Sequence, residues 1–230
     1  MMTRAFSIQV CLAMFAFAAT SSLSLSQHSA DAATSLPVIT FTFDFPQSNP
    51  EHYSISVDAT GHARYECTGK ITEDSEEQVY KSEFEMSAES RRRIFEWAKQ
   101  AQYFGGKLDS GNRKVAFAGR KILSYQDSQR SFTARYNYSN VAAVQQLTTL
   151  FQNMAGTLEY GSRLSYYHRY QKLALDDELK HMEAQAKGSE ISELQAVAPA
   201  LQEIVEDTSV LNGVRARAKQ LIEMGNNASK

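Results

Sequence analysis

Two residues stand at a spacing that could do metal chemistry. Glu178 and His181 lie three apart in Glu-Leu-Lys-His, so on a helix a carboxylate and an imidazole project to one side. Carboxylate-bridged di-iron bundles use that spacing twice and join the pairs through further glutamates. Here the pair occurs once. If one helix continues from Tyr160, then Leu164, Tyr167, Ala174 and Met182 share a face on which Glu178 also falls, as a buried carboxylate would. If Asp176 caps a fresh helix instead, Asp177 and Glu178 are favourable first-turn acids and His181 is a surface residue. Glu178 and His181 are the metal candidates, and the remaining imidazoles after residue 33 are His52, His62 and His168.

A second constellation interleaves aromatic and basic side chains: Tyr160, Arg163, Tyr166, Tyr167, His168, Arg169, Tyr170 and Lys172. Rings that stack beside cations that neutralise anions form binding platforms. The binding candidates are Tyr160, Arg163, Tyr167, Arg169 and Tyr170. The competing reading is an amphipathic helix whose rings and stems cover a sheet.

Other signatures are missing from the sequence. It has no Gly-x-Ser-x-Gly elbow, no Ser-x-x-Lys, no phosphate-binding glycine loop, no His-Glu-x-x-His and no cysteine pair for zinc. No cofactor and no catalytic residue is therefore expected.

The elements that must position these residues run from strands to helices. Ile39, Phe41, Phe43 and Phe45 alternate with Thr40, Thr42 and Asp44, the period of a half-buried strand. Tyr53, Ile55 and Val57 repeat the pattern, and Thr60-Gly61 turns the chain into a strand over Ala63 to Cys67. Val79 to Met86 alternates again. Ser87 caps a helix to about Tyr103 that Gly105-Gly106 ends. Lys121 to Tyr125 and Ser131 to Tyr138 flank the turn Asp127-Ser128-Gln129. Ser139 or Asn140 caps a helix whose stripe Val141, Val144, Leu147, Leu150, Phe151 and Met154 ends at Gly156. Beyond Thr157 the pattern is helical to about Lys187, then to Glu206 with a kink at Pro199, then from Val210 to Met224. The expected class is α+β, with an antiparallel sheet of about five to seven strands packed with two helices and an all-helical C-terminal region. The expected divisions are 1–33, 34–156 and 157–230, the last packed on the same core.

Residues 1–33 read as a secretory signal: Arg4, the apolar run from Ala5 to Ala19, then Ala30-Asp31-Ala32. Its loss removes one base and one acid, so the net charge stays at -2. That near-neutral balance argues against a nucleic-acid partner. No later run is long and apolar enough for a transmembrane helix. Cys67 is then the lone cysteine, which cannot form an internal disulfide, and Glu66 beside it does nothing to activate the thiol. Charge is nonetheless segregated. Seven acids against two lysines occupy Glu66 to Glu85, and seven bases against two acids occupy Lys107 to Arg135, a complementarity expected between adjacent strands or a dipolar surface for a charged partner. Arg91-Arg92-Arg93 is expected to be solvated.

Two resemblances can be drawn. Leu194, Pro199, Leu201, Ile204, Val205, Asp207, Val214, Arg215, Ala218 and Leu221 resemble one HEAT-type helical pair; a single unit does not make a solenoid. The leader, the strand meander, Tyr103-Phe-Gly-Gly106, Gly119-Arg-Lys121, Tyr136-Asn-Tyr-Ser139 and the helical tail resemble uncharacterised exported proteins of environmental bacteria, a likeness of layout that implies no activity. The expected function is a non-catalytic binding or interaction module of the bacterial envelope or secretome, periplasmic or extracellular. Its partner would be an envelope or secreted protein or a glycan. The alternatives are an envelope hydrolase or metal-dependent enzyme, and a scaffold that binds protein through the helical tail.

Overall fold

The computed structural model describes residues 36–46, 48–72 and 75–228. The expected signal segment lies outside them, as do Glu73 and Asp74.

Six antiparallel strands form one sheet: β1 (Val38–Asp44), β2 (His52–Asp58), β3 (His62–Gly69), β4 (Gln78–Glu85), β5 (Arg120–Gln126) and β6 (Ser131–Tyr136), in the order β4-β3-β2-β1-β5-β6. The alternation read from the sequence sets the faces. Phe41 is fully buried and pairs with Ile55 on one side and Leu123 on the other, while Thr40 and Thr42 stay half-buried on the opposite face. A one-residue slip would bring the threonines into the core, so the apolar pattern fixes the register.

Between β4 and β5, α1 (Ala88–Gln100) carries the chain across the buried face. The Ser87 hydroxyl accepts from the Ser90 N–H at 3.2 Å, and Glu193, 106 residues away, accepts from both the Ser87 N–H and its hydroxyl at 2.7 Å. A remote carboxylate thus completes the cap and ties the C-terminal region to the sheet layer. The three arginines are not simply solvated: Arg92 pairs with Glu89 and Glu96, Arg93 with Glu89, and Arg91 donates to the Thr60 carbonyl at 2.5 Å.

Helix α2 (Ala142–Tyr170) is 29 residues long and runs straight through Gly156. The expected helix end at that glycine, and with it the division at 156, therefore falls inside one helix. A mid-helix glycine costs about 1 kcal/mol, and burial of Leu158, Tyr160 and Leu164 beyond it outweighs that. Phe151 stacks on Phe41 with ring centroids 5.3 Å apart, seating α2 on the sheet. Neither Ser139 nor Asn140 caps the helix. Val141 is its N-cap, with no side-chain bond, and the Ser139 hydroxyl accepts from the Val141 N–H at 3.2 Å.

The continuous stretch expected to Lys187 breaks after Tyr170, and α3 (Leu175–Lys187) starts afresh with Asp176, Asp177 and Glu178 in its first turn. Pro199 does not kink a helix; it sits in the first turn of α4 (Ala198–Glu206), where its missing N–H costs nothing. The last helix, α5 (Asn212–Ala228), packs against α4 and α3. Leu179, Met182, Leu201, Ile204, Ala218 and Leu221 are fully buried and join α2 and the sheet in one apolar cluster. The described residues form a single compact unit, α+β in class.

The strand order also corrects the charge expectation. The acidic β3–β4 hairpin and the basic β5–β6 hairpin lie at opposite sheet edges. The acids are instead balanced locally, by Arg64–Glu83 at 2.9 Å and Lys81–Glu66 at 3.0 Å.

Candidate functional site

The second half of α2 lies beside the start of β4 and leaves a groove. Its closed end is a pocket of about 90 Å³, walled by the turn at Asn49-Pro50, the end of β3, the start of β4 and three α2 residues, Glu159, Ser162 and Arg163. That volume admits a small polar group such as a single carboxylate or hydroxymethyl substituent. The Asn49 amide accepts from the Lys70 N–H at 2.9 Å and donates to the Lys70 carbonyl at 2.7 Å. This clamp brings Gly69 so close that a Cβ there would stand 2.9 Å from the Pro50 Cα, so the wall needs glycine.

Glu159 is the only carboxylate in this pocket's wall among the described residues. Its side chain is 21% exposed, and its sole ion partner among the described residues is the Arg163 guanidinium at 3.8 Å. That guanidinium is diverted: its Nε donates to Glu178 at 2.6 Å, and it lies 4.6 Å from the Tyr160 ring centroid. Burial therefore dominates and pushes the Glu159 carboxyl up to about 7, against the lowering influence of Arg163 and Tyr65. Around it, burial also raises the Cys67 thiol and the Tyr80 hydroxyl. The Tyr65 hydroxyl, buried behind the pocket and raised likewise, makes no hydrogen bond of normal geometry. Near neutrality this carboxyl is thus close to half protonated, and in its protonated form it can both donate and accept.

Past Tyr80 and Ser162 the groove opens along α2 toward Tyr166, Arg169, Tyr170 and Lys172. The Tyr166 and Tyr170 rings stand 5.1 Å apart, Arg169 lies 5.9 Å from the Tyr170 ring, and Tyr170 is 64% exposed. Asp207 braces the rim: it accepts from Lys172 at 2.5 Å and pairs with His168 at 2.9 Å. Those contacts, with Ser209, hold its carboxyl well below the usual range. Of the lining cations, Arg163 is paired with Glu178 and Lys172 with Asp207, so Lys70 and Arg169 are the ones left for an anionic guest.

The structure divides the sequence candidates. Tyr160 is 6% exposed and packs with Arg163 and Glu178 between α2 and α3; Arg169 and Tyr170 face the open groove; Tyr167 is half-buried against Tyr166. The Glu178 carboxylate is taken by Arg163, and His181 is exposed beside it. Among the described residues no cluster of three or more His, Cys, Asp or Glu could hold a metal ion. Glu159 was not singled out from the sequence. Its i,i+4 spacing to Arg163 is visible there, but the walls that bury it come from β3 and β4, 80 to 90 residues away.

No family model matches the chain, and no curated protein matches it. No described helix is long and apolar enough to cross a membrane.

Proposed function

We propose that the chain is an exported, non-catalytic binding module of the bacterial envelope or secretome, and that its groove takes a short stretch of an acidic, carboxylate-bearing glycan. Export is supported by the leader-like residues 1–33. The observation that carries the ligand class is the groove itself, in which the adjoining, tilted rings of Tyr166 and Tyr170 with Arg169 and Lys172 lead into the pocket of Glu159. Exposed rings suit the apolar faces of sugars, and the cations suit their carboxylates. Titration calorimetry of the purified protein with oligouronates and with neutral oligosaccharides of equal length tests this. Saturable oligouronate binding that weakens with salt is expected; equal binding of both classes, or of neither, overturns the ligand class.

One observation favours a second reading, an envelope hydrolase. A buried carboxyl near 7 has the protonation a general acid needs. Its absent second carboxylate in the pocket wall argues for binding alone, since glycosidases use a pair. Turnover of an oligouronate that disappears in Glu159→Gln while binding persists would establish the enzyme.

A further inference from the structure

At the other edge of the sheet, β5, β6 and the first half of α2 line a separate open cleft of about 430 Å³. Lys121 belongs to its wall and is 6% exposed. Its Nζ donates to three backbone carbonyls, Ala118 at 3.0 Å, Gly119 at 3.3 Å and Asn137 at 3.1 Å. Those bonds satisfy its protons but leave its charge uncompensated, because it has no ion pair and no Asp or Glu lines the cleft among the described residues. Asp109, in the loop leading to β5, is spent on the N–H groups of Gly111 and Asn137. The rest of the wall is rich in donors. The exposed Thr149 hydroxyl and Gln152 amide make no hydrogen bond to any described residue, and the Tyr138 hydroxyl accepts from Gln145 at 2.8 Å with its own proton free.

We propose that this cleft is an anion site, in which Tyr138, Thr149 and Gln152 hydrogen-bond a small oxyanion, a carboxylate or a sulfate-type group, and the buried Lys121 ammonium supplies the charge. A buried ammonium without a counter-ion is costly, and an anion in the cleft removes that cost. Burial alone depresses the Lys121 pKa, so a bound anion should raise it. This site stands apart from the glycan groove and does not depend on that reading.

The test is NMR titration of the purified full chain with sulfate and with malonate, at ionic strength held constant with chloride. It follows the Thr149 and Gln152 amides and the Lys121 side-chain carbon. Saturable shifts with either probe but not with chloride are expected, together with a raised Lys121 pKa. Gln152→Glu places a carboxylate on the wall and should weaken anion binding at least about tenfold; Thr149→Val should weaken it less. Lys121→Met should abolish binding, and if that variant fails to fold the other two decide. No saturation, an equal response to chloride, or unchanged affinity in Gln152→Glu would mean an adventitious ion only and would overturn the proposal.

Discussion

Replacing Glu159 with glutamine should make the protein more stable, and only above acid pH. The glutamine keeps the shape of the side chain and cannot ionise. In the folded wild type the carboxyl is held at about 7 rather than its ordinary 4.5 because it is buried and weakly paired. Below pH 4.5 the carboxyl is protonated in both folded and unfolded chains, so ionisation adds nothing to stability. Between 4.5 and 7 the unfolded chain ionises first, and wild-type stability falls as pH rises. Above 7 the loss is complete: at about 1.4 kcal/mol per tenfold change in proton affinity it amounts to about 3 kcal/mol. In a domain of this size that corresponds to about 6–12 °C in Tm. Denaturant unfolding of wild type and Glu159→Gln between pH 4 and 8 should show the difference between them growing across that window in favour of the variant. A difference independent of pH, or one that grows as pH falls, would refute the burial of an under-paired carboxyl.

Other expectations follow from single contacts. Glu193→Ala removes the buried carboxylate that accepts from the half-buried Ser87 N–H and hydroxyl and should destabilise by about 1–3 kcal/mol, measured by urea unfolding. Gly161→Ala would bring a Cβ to 2.5 Å from the Val197 Cγ1; overpacking of that kind costs about 1–3 kcal/mol and would appear as a lowered urea midpoint. Thr157→Val removes the donor to the Ser192 carbonyl, 2.5 Å away at a fully buried site, and should cost about 1 kcal/mol in the same assay. Cys67 is 8% exposed with a raised thiol pKa, so a thiol reagent should modify the native protein far more slowly than the unfolded chain; equal rates would contradict its burial.

Much of the fold was legible because the strands alternate cleanly: Ile39, Phe41 and Phe43 announce both the strand and its buried face. The helix boundaries were less so, for physical reasons. Glycine at 156 signals an end locally, yet the buried residues that hold α2 together beyond it contact α3 and α4, which no local pattern contains. Pro199 is ambiguous between kink and first turn until the 3-10 turn Leu194–Val197 before it is seen. The site was half visible. Tyr170 and Arg169 stood out by composition, whereas Glu159 became a candidate only when β3 and β4 closed over it, and Glu178 lost its candidacy as a free ligand to a salt bridge with Arg163.

The central claim is that the groove along α2 is the binding surface, and a double variant tests it most directly. Tyr170→Ala with Arg169→Ala removes one ring, 64% exposed, and one exposed cation from the open rim, so folding should be unaffected. Calorimetric titration with an oligouronate should show affinity at least about tenfold weaker than wild type, since base-like stacking and a charge contact are each worth about 1 kcal/mol or more. Undiminished affinity in a folded double variant would contradict the account.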